Sequence, residues 1–321
     1  MEGKKGEKPH VNILTGPTGV GKTRYALRLA RKWKTEIISV DSMQVYRQLS
    51  IGTDKPDPRE TGGIPYHLTN CLDIDKKYDL ARFIREADEL VERLSRENKT
   101  PLLVGGTGLY IRGFLEGIFD LDGEIDAGAD PRLRSNLYKR LKNDGIGPLY
   151  EELRRVDPPA ASRIKPGDSQ RIIRALEVFQ ATGIPISRHQ EKSRRDSPRY
   201  PHTLLVMTRK REELYSRIED RVERMFQKGL VSEVKSILDA GYSPSLHPLK
   251  ALGYREVIQA LQGHWSMERA KEEMKKASRR YAKRQLTWFR GMPRAVWLDI
   301  TGLDETRILE NMERLLLQGS M

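Results

Sequence analysis

Residues 16–23 form a complete phosphate-binding loop, with the sequence Gly-Pro-Thr-Gly-Val-Gly-Lys-Thr. In such a loop the glycines let the backbone wrap around phosphate oxygens, and successive N–H groups point their positive ends at the anion. The lysine reaches the outer phosphate, and the last hydroxyl holds Mg²⁺. The motif predicts a di- or triphosphate site but leaves the reaction open; its residues are Gly16, Pro17, Thr18, Gly19, Val20, Gly21, Lys22 and Thr23.

Two other polar residues stand where apolar runs end. Asp41 follows residues 36–40, and Thr107 follows residues 101–104 and two glycines. A carboxylate in this position can hold Mg²⁺ through water, act as a general base, or cap the next turn. A hydroxyl can position a ligand or cap the helix that begins near Leu109. From the residues alone, capping ranks first for Asp41, and the two interpretations of Thr107 are equal.

The order of the apolar runs predicts how these groups come together. Strands alternate with stretches of helical spacing such as 22–33 and 79–98, which predicts an α/β fold with a P-loop NTPase-like parallel sheet, covered on both faces. Ligands bind at the carboxyl ends of such strands, so the loop, Asp41 and Thr107 are expected to converge. The expected strands are 11–15, 36–40, 101–104, 204–207 and 295–298.

A change of composition between residues 120 and 201 predicts an inserted helical domain. Glycine, aspartate and proline mark its start at 121–131, and a basic, turn-rich stretch at 188–199 precedes the return to the core. The core then comprises 10–119 and 202–321, and residues 1–9 are expected to form a disordered tail. The expected helices are 132–143, 149–156 and 169–182 in the insertion and 211–228, 230–240 and 266–290 in the core.

Composition narrows the class of partner. The net charge of +13 favours a polyanion such as nucleic acid. No stretch approaches the ~20 apolar residues of a membrane span, and the N-terminus lacks the apolar segment of a secretory signal. Cys71 is the only cysteine, which excludes an intramolecular disulfide and a cysteine-based zinc finger. We therefore expect a cytoplasmic protein with no membrane partner.

The positive charge is densest on the helix predicted at 266–290. A basic face beside Trp288 and Phe289 suits looped or single-stranded RNA, through phosphate contacts and stacking. The alternative, a solvated face with core aromatics, is weakened because only three glutamates of the helix, Glu268, Glu272 and Glu273, offset the charge. The expected core face is Ala270, Met274, Ala277 and Tyr281.

A second basic cluster lies in the predicted insertion. Its members are Arg163, Lys165, Arg171 and Arg174. Their spacing fits either a nucleic-acid surface or the arginine-bearing lid with which a small-molecule kinase covers ATP, and the residues leave both open.

An ordered set of motifs from about Val11 to Leu298 resembles the tRNA dimethylallyltransferases, also called tRNA isopentenyl transferases. The chain lacks the C-terminal cysteine/histidine zinc finger of some eukaryotic relatives and is similar to the bacterial form. Besides residues 16–23, the motifs are Asp-Ser-Met-Gln-Val-Tyr (41–46), Ile-Gly-Thr-Asp-Lys-Pro (51–56), Tyr-His-Leu (66–68), Leu-Val-Gly-Gly-Thr-Gly-Leu-Tyr (103–110), Ala-Asp-Pro-Arg-Leu-Arg (129–134), Val-Asp-Pro (156–158), Asp-Ser-Gln-Arg-Ile-Ile-Arg-Ala-Leu-Glu-Val (168–178), Leu-Gly-Tyr-Arg (252–255) and Lys-Arg-Gln-Leu-Thr-Trp-Phe-Arg (283–290).

The resemblance implies a reaction. The family transfers a dimethylallyl group from dimethylallyl diphosphate to N6 of the adenosine immediately 3′ of the anticodon, in tRNAs that read codons beginning with U. The loop then holds the donor's diphosphate, so an ATP-binding label would rest on the motif alone. Lys22 and Mg²⁺ on Thr23 would neutralise the leaving group, and Arg221 would contact it. Asp41 would take the N6 proton, and Thr107 would position the base or the leaving group.

The resemblance also implies a tRNA surface. The expected partners are the tRNA anticodon stem-loop and dimethylallyl diphosphate, with Mg²⁺ as cofactor and the protein acting as a monomer. The residues alone leave two rivals, a P-loop small-molecule kinase that uses ATP and a non-catalytic RNA-binding module. The expected tRNA-binding residues are Asp41, Ser42, Met43, Gln44, Thr107, Arg134, Gln170, Arg171, Ile172, Ile173, Arg174, Lys250, Arg255, Lys283, Arg284, Gln285 and Arg290.

Overall fold

A computed structural model describes residues 8–117, 131–192 and 197–318 of the 321-residue chain. These residues form two compact units. The core unit contains the chain up to Leu115 and from Tyr200 onward, and the insertion unit is Glu116–Arg199. The predicted start of the insertion at 120 and all but the last two residues of the predicted tail lie outside the described residues.

The elements alternate between strand and helix in both parts of the core unit. Along the chain they are β1 (Val11–Thr15), α1 (Lys22–Trp33), β2 (Ile37–Val40), α2 (Pro58–Thr61), β3 (Tyr66–His67), α3 (Leu80–Arg96), β4 (Leu102–Gly105), α4 (Gly108–Glu116), α5 (Pro131–Asp144), α6 (Ile146–Val156), α7 (Pro158–Arg163), α8 (Ser169–Thr182), α9 (Ile186–Lys192), β5 (His202–Thr208), α10 (Arg211–Gln227), α11 (Leu230–Asp239), a 3₁₀ turn (His247–Lys250), α12 (Tyr254–Leu261), α13 (Met267–Arg290), β6 (Val296–Asp299) and α14 (Glu305–Gln318).

The described part of the core unit contains one six-stranded sheet in the order β3-β2-β4-β1-β5-β6, with every pairing parallel. Strands β1, β2 and β4 are buried at every position, as expected when helices cover both faces of a parallel sheet. The predicted α/β class and parallel sheet are confirmed. Strand β3 was not predicted, because two residues are too few to show a period.

The strand register brings the predicted groups to one edge of the sheet. Val40 at the end of β2 pairs with Gly105 at the end of β4, so Asp41 and Thr107 follow neighbouring strand ends. The Thr107 N–H donates to the carbonyl of Val40 at 3.3 Å. Strand β1 lies on the other side of β4, and the Thr15 hydroxyl donates to the Gly105 carbonyl at 2.7 Å. The predicted convergence of the phosphate loop, Asp41 and Thr107 is confirmed.

The insertion unit is a helical bundle with its own apolar core. Helices α5, α6, α7 and α8 bury a cluster that includes Leu137, Leu149, Leu153 and Leu176. Helix α8 has the bounds predicted from sequence. The turn-rich interpretation of 188–199 is wrong for its first part, because α9 extends to Lys192. Lysine and arginine favour helices, so a basic composition does not by itself predict a loop.

Candidate active site

The phosphate loop joins β1 to α1 and is tightly bent. Gly16 has a φ of 145°, and a Cβ there would lie 2.4 Å from the carbonyl oxygen of Met207, so this position requires glycine. Helix α1 begins at Lys22, and no side chain caps its first turn. The free N–H groups at that end therefore face the loop, as a phosphate site requires.

The Lys22 ammonium is held by the loop itself. Its Nζ donates to the carbonyls of Gly16 at 2.8 Å and Pro17 at 2.9 Å. Burial, together with the nearby positive charge of Arg221, lowers the pKa of Lys22 to about 7. Its partners are neutral dipoles, so it is placed to exchange them for an anion that restores its charge.

Helix α10 supplies two arginines to the loop. The Arg217 Nε donates to the Gly19 carbonyl at 3.0 Å, and the Arg221 guanidinium donates to the Thr18 hydroxyl. Arg221 Nε lies 3.1 Å from Asp54 in an ion pair, but it is buried and has no hydrogen-bond acceptor among the described residues. Arg221 therefore places a second positive charge beside Lys22.

Asp41 and Thr107 form a connected pair at the strand ends. Asp41 Oδ1 accepts from the N–H groups of Met43 at 2.8 Å and Gln44 at 3.2 Å, so the carboxylate caps the following turn, as the residues alone suggested. Both bonds go to one oxygen, and Oδ2 has no hydrogen bond to any described residue. The Thr107 hydroxyl accepts from the Ser42 N–H at 3.3 Å. Capping and a chemical role are thus compatible for Asp41.

Gln285 of α13 fastens the loop to the end of β4. Its Oε1 accepts from the Thr18 N–H, and its Nε2 donates to the Gly106 carbonyl, both at 2.8 Å. The residue is 6% exposed. We expected Gln285 to bind tRNA, but both of its amide atoms already hold the site together.

The donor set at Thr23 fits Mg²⁺ in the way typical of phosphate enzymes. Thr23 contributes a hydroxyl that contacts the phenol of half-buried Tyr66, whose pKa is raised by burial and by the charge of nearby Asp41. The described residues include no group of three His, Cys, Asp or Glu side chains with metal-ligand spacing. Mg²⁺ is usually held by one or two protein oxygens plus substrate phosphates and water, so this set suffices only with a bound diphosphate.

These groups line one cavity of about 1080 Å³. The expected site residues on its wall include Lys22, Thr23, Asp41, Thr107 and Arg221. Apolar side chains share the wall with them, among them Leu27, Ile51, Met274 and Val104. A pocket with anion donors at one end and apolar surface beside them matches a ligand that carries a diphosphate and a hydrocarbon chain.

Most of the other expected tRNA-binding residues of the core unit are accessible, but Gln44 is buried and donates through Nε2 to the Thr53 carbonyl at 3.2 Å. Ser42, Met43, Gln44, Lys250, Arg255 and Arg284 line the cavity. The side chains of Lys250, Lys283 and Arg290 are exposed and form no ion pair with a described residue. Arg255 is different, because it pairs with Glu256, which is 1% exposed and also accepts from the Gly253 N–H.

Two of the expected tRNA contacts in the insertion unit are wrong. Ile172 and Ile173 are 0% and 1% exposed, because they face the apolar core of the bundle from the inner side of α8. Gln170 and Arg171 are exposed. Arg134 and Arg174 both pair with Glu177, which is 1% exposed, at 3.3 and 2.9 Å.

The basic face of α13 is divided. In its first half three cations pair with glutamates of the facing helix α10: Lys271 and Lys275 with Glu223, and Arg279 with Glu219. The buried face also differs from the prediction, since it passes through Ser278 and Ala282 rather than Ala277 and Tyr281, and Phe289 is fully buried rather than available for stacking. The second half, from Lys283 onward, keeps its cations unpaired among the described residues.

Several site residues were not predicted from sequence. Arg217 was detectable in principle, because it lies one helical turn before Arg221 on α10. Apart from the Tyr-His-Leu motif at 66–68, no sequence pattern indicated that Tyr66 belongs to the site. The bracing role of Gln285 depends on contacts across more than 170 residues of chain, which no local pattern reveals.

Comparisons with known proteins agree with the motifs. The family model described as IPP transferase matches residues 44–292, and the model described as isopentenyl transferase matches residues 9–72. A tRNA dimethylallyltransferase of Syntrophobacter fumaroxidans is 43% identical over 90% of this chain and 83% of its own. One from Geobacter sulfurreducens is 42% identical over 93% and 94%.

Solved structures show the same fold. The tRNA isopentenylpyrophosphate transferase of Bacillus halodurans matches with a TM-score of 0.73 and 35% identity, covering 98% of this chain and 97% of that one. A eukaryotic dimethylallyltransferase acting on tRNA matches with a TM-score of 0.80 and 28% identity, over 95% and 77%. The family expected from the motifs is confirmed: this chain belongs to the tRNA dimethylallyltransferases, the IPP transferase family.

Proposed function

We propose that this protein is a tRNA prenyltransferase, which transfers a dimethylallyl group from dimethylallyl diphosphate to N6 of the adenosine immediately 3′ of the anticodon. The observation that carries the proposal is the shared cavity wall: the anion donors of the loop and α10 and the carboxylate of Asp41 face one space. A reaction that expels a diphosphate and removes a proton needs both groups at once.

The step follows from the placement of these groups. Adenine N6 is a poor nucleophile, because its lone pair is delocalised into the ring. The allylic C–O bond breaks with its electron pair going to the diphosphate, whose charge is neutralised by Lys22 and Arg221. A bond forms between N6 and the allylic carbon, and the N6 proton passes to Oδ2 of Asp41. The Met43 and Gln44 N–H groups hold Oδ1 and so aim the second oxygen.

Mg²⁺ is proposed as the cofactor that further neutralises the diphosphate. Thr23 would hold it, together with diphosphate oxygens and water. Thr107, at the neighbouring strand end, would orient the base or the leaving group beside Asp41.

The size of the cavity and the exposed cations near it support binding of an RNA loop. The cavity is large enough for a prenyl diphosphate and an extruded base together. An adenosine in an anticodon loop leaves its stack at less cost than one in a duplex. Exposed cations near the cavity, among them Lys250, Lys283 and Arg284, would hold the loop phosphates.

The substrate range and setting remain proposals. We propose tRNAs that read U-initial codons as the substrates, a cytoplasmic location, where tRNA is present, and a monomeric enzyme. Among the described residues, no helix has the length and apolarity needed to cross a membrane.

The test combines the protein with dimethylallyl diphosphate, Mg²⁺ and an unmodified anticodon stem-loop that carries adenosine at the target position. The mass of the RNA should rise by one dimethylallyl group and should not rise when that adenosine is replaced by guanosine. An unchanged RNA mass, with ATP turnover stimulated by a small metabolite, would favour the small-molecule kinase instead. RNA binding that survives Asp41→Ala with no transfer in either protein would favour a non-catalytic module.

A further inference from the structure

One motif of the cavity wall has no part in the proposed step. This motif, residues 51–56, overlaps residues 50–54, which we call the 50–54 loop. All five residues of the loop line the cavity. Asp54 has a φ of 52°, so the loop ends in a left-handed residue and turns sharply. Such a turn needs partners that hold it in place.

Glu233 of α11 is the main partner of this loop. Its Oε2 accepts from the N–H groups of Ile51 at 2.8 Å and Ser50 at 3.1 Å. Its Oε1 accepts from the Gly52 N–H at 3.3 Å and from the Tyr254 hydroxyl at 2.6 Å. Four donors thus converge on one carboxylate, and a charged acceptor makes each of these bonds stronger than a neutral one would.

Tyr254 closes the loop from the other side. It is fully buried, and a Cβ on Gly52 would lie 2.4 Å from its ring, so the loop backbone packs directly against the ring. Burial and the adjacent charge of Glu233 raise the pKa of the phenol, which therefore stays protonated and donates. The loop is held between a carboxylate and a ring.

The 50–54 loop in turn holds Arg221. The Thr53 carbonyl accepts from Arg221 Nη2 at 3.5 Å and from Gln44 Nε2 at 3.2 Å. The Asp54 carboxylate pairs with Arg221 Nε at 3.1 Å. The guanidinium that donates to Thr18 of the phosphate loop is therefore oriented by Thr53 and Asp54, which directly follow the three residues whose N–H groups Glu233 accepts from. The Asp54 N–H in turn donates to the carbonyl of Ile51 at 3.0 Å.

We propose that Glu233 is a positioning residue for transfer, which acts through the 50–54 loop to aim Arg221 at the leaving diphosphate. The inference rests on the proposed function. A displacement of about 1 Å in a charge-neutralising group is enough to cost about 100-fold in rate, so a residue outside direct contact can matter as much as a contacting one.

The test begins with Glu233→Gln. An amide turns one of the two oxygens into an NH₂ group, which then opposes two donors that it cannot accept from. We expect kcat to fall about 10- to 100-fold and inorganic diphosphate to bind about tenfold more weakly, while the affinity for the anticodon stem-loop changes less than about twofold. Asp239→Asn removes one charge from the last turn of the same helix and should leave all three unchanged.

A double-mutant cycle separates positioning from general loss of structure. With Arg221→Ala already present, Glu233→Gln should lower kcat by less than about threefold, because the group it positions is gone. Equal effects in both backgrounds would overturn the proposal. Tyr254→Phe, which removes only one donor to Glu233, gives the same cycle if Glu233→Gln fails to fold. If the unmodified protein transfers no prenyl group, the proposed function fails, whereas transfer that Glu233→Gln leaves intact refutes only this inference.

Discussion

Lys22 in the core unit and Arg174 in the insertion unit were both expected to bind anions, but in the structure they have opposite kinds of partner. Lys22 donates to two backbone carbonyls and has a pKa lowered to about 7 by burial. Arg174 donates to Glu177, a carboxylate that is 1% exposed. A cation whose partners are neutral dipoles gains by meeting an anion, whereas one that neutralises a buried carboxylate is already committed.

The same distinction divides α13. Its first half places Lys271, Lys275 and Arg279 against glutamates of α10, and its second half leaves Lys283 and Arg290 without ion pairs among the described residues. A basic sequence therefore does not give the positive surface directly, because the neutralising carboxylates come from another helix. The difference between free and paired cations can be tested by the changes below, given in decreasing order of expected effect.

Replacing Lys22 by methionine should lower the rate of transfer by about 1000-fold, since a principal donor to the leaving diphosphate is lost. The same change should raise the free energy of unfolding by about 1–2 kcal/mol, because a buried cation is removed. Single-turnover transfer and urea unfolding measure the two effects. A protein that loses stability as well would contradict the assignment of Lys22 to ligand rather than structure. Binding of the stem-loop should be nearly unchanged and serves as the control.

Replacing Arg174 by alanine should lower the free energy of unfolding by about 3 kcal/mol, because Glu177 then keeps only Arg134 as a partner in the interior. Arg171→Ala is the matched control: Arg171 is 68% exposed in its side chain, and its loss should cost less than about 0.5 kcal/mol. Leucine at both 174 and 177 should restore stability. If Arg174→Ala unfolds like Arg171→Ala, the structural assignment of Arg174 is refuted.

Diphosphate affinity should depend on pH through Lys22. The free site has a Lys22 pKa of about 7, and a bound anion favours the protonated form and raises it. Affinity is then greatest below pH 7 and falls by about tenfold per pH unit above it, until the pH reaches the raised pKa of the complex. Calorimetry with inorganic diphosphate from pH 6 to 9 measures the slope. Subtraction of the Lys22→Met curve removes the titration of the ligand itself; two parallel curves would exclude Lys22 as the titrating group.

The two halves of α13 should contribute unequally to RNA binding. Lys283→Ala combined with Arg284→Ala should reduce the slope of log affinity against log salt by about 1.4, which corresponds to two single-strand phosphate contacts. Lys275→Ala combined with Arg279→Ala should reduce it by less than half of that, because those cations pair with Glu223 and Glu219. Equal reductions would show that ion pairing does not predict the RNA surface.

Local patterns were enough for much of the fold. The bounds of α8 and α1 match the prediction, since apolar spacing defines each helix within its own sequence. The five predicted strands are present, and the sixth, β3, is too short for periodicity to detect. On α13, a shift of one position moved the buried face from Ala277 to Ser278, because a small polar residue carries no apolar signal.

The candidate site also contains residues that local patterns predict and residues that they do not. The loop motif, Asp41 and Thr107 were placed by their positions after strands, which parallel pairing converts into neighbours. Ile172 and Ile173 were wrong as RNA contacts, because a motif identifies a segment but not which of its side chains turn inward. Gln285 lies in a basic motif, yet it holds the loop and β4 together through contacts distant in sequence.

The family, the phosphate loop and the alternation of strands and helices that places Asp41 and Thr107 after strand ends could be inferred from sequence alone, because these depend on residue type and spacing along a short stretch of chain. The three-dimensional packing determines which cations lack an ion pair among the described residues, how Gln285 braces the loop and how Glu233 reaches Arg221 through residues 50–54. Those outcomes depend on which carboxylate or carbonyl lies within about 3 Å, and such short-range partners come from helices far apart in the chain.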